Sequence, residues 1–277
     1  MKYLFKIIFL FLLSKISIGQ TNHLRLIEKG KYAKAEKKIL KSIQKDSNDV
    51  KLNYTLSVLL IQKKYKGYDT RRAYLYMLKA KKIYSRSIDE REKEKLNKIP
   101  INNNTFQLYI DTITSYALDK ALKDNTVDGF DNYLSLYKEA PNKYRNIAID
   151  SRDVVAYEKA KAENTVTSFD KFISTYPNAK QIPDAIRKRN QIAFNRAQKD
   201  DNISSYKEFI KKYPDAIEIQ QAWSRIHELA YQMAIEKNSS NAFQNFMSEF
   251  PNSKQFEDAK KLFFERQFYE ETIPGDW

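Results

Sequence analysis

The chain predicts an all-α protein built as an α-solenoid of about six helical hairpins. Three observations predict it: an aromatic phrase repeated at a fixed spacing, alanine pairs between its copies, and a proline after each copy. The phrase is [FY]-x-x-[FY]-[ILM]-x-x-[FY]. It occurs as Phe130, Tyr133, Leu134 and Tyr137; as Phe169, Phe172, Ile173 and Tyr176; as Tyr206, Phe209, Ile210 and Tyr213; and as Phe243, Phe246, Met247 and Phe250. Its first aromatics lie 39, 37 and 37 residues apart by subtraction, and Lys138, Glu139 and Ala140 are read as extra residues before Pro141.

The chain opens with Lys2 and Lys6 around a seven-residue apolar run, Ile7 to Leu13, followed by the small-residue site Ser17-Ile18-Gly19. That layout reads as a secretory signal peptide over residues 1–19. Seven apolar residues fall well short of the roughly 20 that span a bilayer. No cysteine follows the run, so the expected product is exported, periplasmic or outer-membrane-associated, and not a lipoprotein. With no cysteine anywhere, burial rather than disulfides must hold the fold.

Charge separates the next segment from the rest. Residues 20–100 hold 22 Lys or Arg against 9 Asp or Glu (+13), whereas residues 101–277 hold 24 against 26 (−2). Residues 20–98 therefore read as a basic set of helices. Lys37, Lys38 and Lys41 fall between Ala35, Ile39 and Leu40 at amphipathic spacing. A concentrated positive surface suits an anionic partner, a membrane surface included. The break Lys98-Ile99-Pro100-Ile101-Asn102-Asn103-Asn104 should end one helix and restart another.

From residue 105 to 268 each repeat reads as two helices. The phrase puts apolar groups at i, i+3, i+4 and i+7, one face of a short helix. Polar residues mark its start: Asn125 and Thr126, Asn164 and Thr165, Asn202 and Ser204, Ser239 and Ser240. Proline ends it, and the Asn or Asp after that proline (Asn142, Asn178, Asp215, Asn252) is expected to cap the next helix. The longer second helix carries Ala117 and Ala121, Ala156 and Ala160, Ala193 and Ala197, Ala230 and Ala234, a shallow stripe for close helix packing. Residues 269–277 read as a C-terminal tail, where Trp277 is a candidate cap or partner ligand.

A helical pair with small residues on one helix and an aromatic phrase ending in Tyr-Pro on the other resembles the tetratricopeptide repeat. It looks most like the degenerate variant of the BamD-type outer-membrane assembly lipoproteins and the YbgF-type periplasmic proteins. The resemblance covers about residues 105–268, and Gly30-Lys31-Tyr32 with Ala35, then Tyr68 with Ala73, Tyr76 and Ala80, extend it loosely over 22–86. No repeat has the full Trp, Leu-Gly, Tyr set. What the resemblance implies is a right-handed solenoid that binds proteins, with no catalytic residues to carry over.

Chemical motifs are scarce. The two histidines, His23 and His227, are far apart in sequence, five glycines make no phosphate cradle, and neither H-E-x-x-H nor G-x-S-x-G occurs. No catalytic, cofactor or metal residue is expected, and an enzyme is not. Nucleic-acid binding through Tyr65, Tyr68, Tyr74, Tyr76 and Tyr84 is disfavoured by their helical spacing and by export.

The expected function is a non-catalytic interaction scaffold for envelope proteins in assembly, secretion or motility. The alternative is a periplasmic module that holds a ligand such as a glycan in a tyrosine-lined groove. Partner residues are sought where repeats differ, in the column Ile149, Ile186, Trp223 and Lys260 that follows Ala148, Ala185, Ala222 and Ala259. Trp223 and Ile186 are the candidates there, and Lys63, Lys64, Arg71 and Arg72 are the candidates for anionic partners.

Overall fold

The computed structural model describes residues 22–86, 88–99 and 101–272. The leader at 1–19, Pro100 of the central break and Trp277 of the tail lie outside the described residues. All regular structure among the described residues is α-helical, with consecutive helices packed on one another, as the sequence predicts. Two compact units divide between Val155 and Ala156. None of the described helices is long and apolar enough to cross a membrane.

The first unit contains α1 (Asn22–Glu28), α2 (Tyr32–Lys45), α3 (Val50–Leu60), α4 (Thr70–Arg86), α5 (Glu90–Asn97), α6 (Asn103–Asp124) and α7 (Val127–Leu136). Its centre is α3, whose residues from Asn53 to Leu60 are all buried, so other elements cover it on every side. Ser57 on α3 satisfies its hydroxyl by donating to the Ala73 carbonyl of α4 at 2.7 Å. Phe106 of α6 is fully buried, its ring 6.1 Å from Tyr54 and 5.4 Å from Tyr84. These edge-on aromatic contacts tie α3, α4 and α6 together.

Helix α8 (Asn142–Glu163) carries the division between the units. The second unit continues with α9 (Val166–Thr175), α10 (Ile182–Asp200), α11 (Ile203–Lys212), α12 (Ile219–Lys237), α13 (Ser240–Glu249) and α14 (Phe256–Thr272). The last helix thus extends through residues 269–272.

One local device joins each long helix to the short helix after it. Asn125, Asn164, Asp201 and Asn238 adopt the left-handed conformation, with φ between 42° and 49°. Asn and Asp tolerate that region better than other non-glycine residues. Each N–H there donates to the carbonyl of the second stripe alanine, Ala121, Ala160, Ala197 or Ala234, at 2.9–3.0 Å. The next residue, Thr126, Thr165, Asn202 or Ser239, is the N-cap, its side chain accepting an N–H three residues on. Ser204 and Ser240, expected among the start markers, lie inside their helices instead; Asp201 and Asn238 take the turn.

The aromatic phrase then packs inward. Its first rings, Phe130, Phe169, Tyr206 and Phe243, are all buried. Tyr157 and Phe194 of the long helices lie 5.5 Å and 5.3 Å from Phe172 and Phe209.

The exit turn corrects two expectations. The N–H groups of Ala179 and Ala216 donate to the carbonyls of Tyr176 and Tyr213 at 3.0 Å, so Pro177-Asn178 and Pro214-Asp215 are the central pair of a turn. Asn178 and Asp215 therefore cap no helix, because α10 and α12 begin only after Gln181 and Glu218. In the first copy Ala140 N–H closes the same turn on the Tyr137 carbonyl, with Lys138-Glu139 in place of Pro-Asn. Those residues are not the insertion. Ala140 and Ala148 are eight positions apart where Ala179 and Ala185 are six, so the two extra residues fall after the turn, where α8 starts early behind Pro141.

Candidate functional site

A tyrosine-rich cleft in the first unit is the most developed candidate site. It has a volume of about 560 Å³ and is walled by Tyr68 to Arg71, by Ala117, Lys120, Ala121 and Asp124 of α6, and by Gly129, Asn132, Tyr133, Leu136 and Tyr137 at α7. The wall before α4 is set by Asp69, whose carboxylate accepts the Arg72 N–H at 2.9 Å and caps that helix. Next to it, the Thr70 and Tyr137 hydroxyls share a hydrogen bond at 2.9 Å across 67 residues of chain. Tyr137 also packs between Tyr74 and Tyr133, at ring separations of 5.1 Å and 5.3 Å. Tyr74 in turn accepts the Glu139 N–H at 2.8 Å, so the exit turn after α7 is fastened to α4.

One polar group in this cleft is unused. The Tyr133 hydroxyl is buried and has no hydrogen-bond partner among the described residues. Burial raises its pKa, so it stays a neutral phenol able to donate one hydrogen bond and accept another. Burial, helped by Tyr116, Tyr137 and Asp119, pushes Tyr68 up to about 12. The cleft therefore offers the exposed Tyr68 and the cations Arg71 and Lys120, chemistry suited to recognition by hydrogen bonding and stacking, while the Tyr133 hydroxyl lies beneath its surface.

Of the four basic candidates, two reach this region. Arg71 lines the cleft, and Lys63 lies 4.1 Å from the centre of the Tyr116 ring, a cation–π contact. Lys64 is exposed to solvent. Arg72 is directed elsewhere: its guanidinium pairs with Glu36 of α2 at 3.0 Å, and Glu36 also accepts the Tyr65 hydroxyl.

A second basic surface was missed by sequence reasoning. Lys79, Lys81, Lys82 and Arg86 of α4 line a cavity of about 760 Å³ floored by Leu78 and Ile83, with Lys81 paired to Glu139 at 2.9 Å. Its signal was legible as the dense basic run from Lys79 to Arg86, but α4 had to be seen as one helix to place those charges around one cavity.

Trp223 and Ile186 belong to the second unit, each following a fully buried alanine, Ala222 or Ala185. Trp223 on α12 keeps 39% of its surface exposed, while Ile186 on α10 is half-buried. The indole lies 6.1 Å from the His227 ring, and His227 lies 5.1 Å from Phe250 at the end of α13. Burial lowers the His227 pKa, which leaves a neutral imidazole between two aromatic rings. Trp223 is thus partly a packing residue and partly an open contact surface.

Among the described residues, no three His, Cys, Asp or Glu side chains converge in a way that could hold a metal ion. Compared with known proteins, the chain matches no protein-family model and no curated sequence.

Proposed function

We propose that this chain is a right-handed solenoid of tetratricopeptide-like hairpins and acts as a non-catalytic interaction scaffold for proteins of the bacterial cell envelope. The observation that carries the reading is a division of labour along the repeat. Caps, turns and inner aromatics recur from hairpin to hairpin, while the position after the buried alanine changes from Ile186 to Trp223 to Lys260. Stacked hairpins present such variable positions as an extended surface for a peptide or a partner's helix. The apparent leader at residues 1–19 supports export, and the basic helices of residues 20–98 suit an acidic protein or an anionic membrane surface.

A second reading is favoured by one specific observation, the tyrosine-lined cleft with Arg71 and Lys120 in its wall. In that reading the chain holds a hydroxyl-rich ligand such as a glycan in the first unit.

In-cell crosslinking of the tagged full-length protein, followed by envelope fractionation and mass spectrometry, tests the scaffold reading. A recurrent envelope protein, lost from the Trp223→Ala variant while its melting stays cooperative, supports it. A monomer with no crosslinked protein but with glycan-dependent thermal stabilisation would overturn it in favour of the cleft.

A further inference from the structure

Helix α14 has one face in the protein and one bare face. Ala259, Leu262 and Phe263 pack into the core of the second unit, and Glu270 accepts the Ser240 N–H at 3.0 Å, which fastens α14 to α13. Opposite them, Glu257, Lys261, Phe264, Phe268 and Glu271 are all exposed and follow one another at spacings of 4, 3, 4 and 3 residues. That alternation is a continuous stripe on a helix, the spacing of a two-helix seam. At its middle Phe264 is 57% exposed and Phe268 70% exposed.

The preceding repeats show what normally lies there. Thirty-seven residues earlier the same positions are His227 and Tyr231 of α12, whose rings lie 5.1 Å from Phe250, which follows α13, and 5.4 Å from Phe246 within it. Another 37 residues back they are Asn190 and Phe194 of α10, both buried, with Phe194 against Phe209 of α11. In each case the cover is a following helix that carries aromatics on its facing side. No described helix covers α14 in this way.

The stripe is also complementary to itself. Turned end for end about a point level with Arg266, it sets Phe264 against Phe268 and Lys261 against Glu271. We propose that α14 pairs antiparallel with α14 of a second copy of this chain, forming a two-fold dimer. Phe264 packs on Phe268 of the partner subunit, and Lys261 meets Glu271 of the partner subunit; by symmetry each contact occurs twice. The second copy thereby supplies the aromatic helix that each earlier repeat supplies to itself. The charged ends fix the register, since any slip that breaks the Lys–Glu match also separates the aromatic pair.

Sedimentation equilibrium of the full chain across micromolar concentrations tests this. The expected result is a monomer–dimer equilibrium that Phe268→Asp weakens by roughly 100-fold or more, as loss of a central aromatic contact should. Lys261→Glu and Glu271→Lys lie on the solvent side and leave folding intact by far-UV circular dichroism. Each alone should weaken the dimer by about 10-fold, and the double reversal should restore it. The proposal is overturned by a monomer at every concentration, or by a dimer indifferent to all these changes. A dimer that appears only when the chain is shortened to end at Thr272 also overturns it, since the protein's own last residues would then be the cover.

Discussion

Tyr133→Phe should make this protein more stable. The phenol ring packs 5.3 Å from Tyr137 at the wall of the cleft, and phenylalanine keeps that ring. Only the hydroxyl goes, and it is buried without a partner among the described residues. Holding such a group away from water costs about 1–3 kcal/mol, which the substitution relieves. Against this stands the small void left by one oxygen, about 0.4 kcal/mol for a volume of roughly 15 Å³. A net gain of about 1–2 kcal/mol follows, or roughly 3–8 °C in Tm for a unit of this size. Differential scanning fluorimetry and urea unfolding of wild type and variant would measure it. A Tyr133→Phe protein that melts lower than wild type would refute the reasoning, because the hydroxyl would then be satisfied, most simply by an ordered water.

Three further outcomes are expected. Phe169 is completely buried, its ring 6.4 Å from Tyr157; Phe169→Ala should cost about 3–5 kcal/mol in urea unfolding, and Phe169→Leu under about 1.5 kcal/mol. Equal losses for the two would sink the packing account. Alkali should destabilise the first unit, where burial, the leading cause, raises the pKa of Tyr54, Tyr65, Tyr68, Tyr74, Tyr109, Tyr116, Tyr133 and Tyr137. The fold favours the neutral phenol, so this contribution is complete below the unfolded value of 10.0 and is lost as pH rises through the folded values, about 12 for Tyr65 and Tyr68. Urea midpoints that do not fall between about pH 9 and about pH 11 would contradict it. Reversing the charges of Lys63, Lys64, Arg71 and Arg72 should weaken binding to anionic vesicles in a salt-dependent way, with Arg72 contributing least because it is paired with Glu36. Unchanged binding at low salt would assign all four to plain solvation.

The sequence by itself determined the helical class, the repeat and the punctuation of each hairpin, because these are local matters. A helix face needs apolar groups three and four apart, and an N-cap needs one oxygen within reach of the next turn's N–H. Phe169 with Phe172, and Thr165 before Val166, state both within a few residues. Where local rules misled, two local solutions competed: Asn178 can cap a helix or sit in a Pro-Asn turn, and the Ala179-to-Tyr176 hydrogen bond decided for the turn.

What only the tertiary structure decided is where distant residues meet. Nothing local says that Thr70 bonds Tyr137, that Lys63 lies over Tyr116, or that Arg72 turns to Glu36 and away from the cleft that Arg71 lines. Those four cations look alike in sequence, and their roles diverge because a long flexible side chain takes whichever partner the packed helices bring within reach. The repeat does show a hydroxyl at Tyr133 where the other copies have Phe172, Phe209 and Phe246, but not that it lacks a partner among the described residues. The bare face of α14 was invisible because the matching residues of α10 and α12 are covered by the next helix. Whether a group is satisfied or exposed depends on the neighbouring helix, and that neighbour is placed by folding.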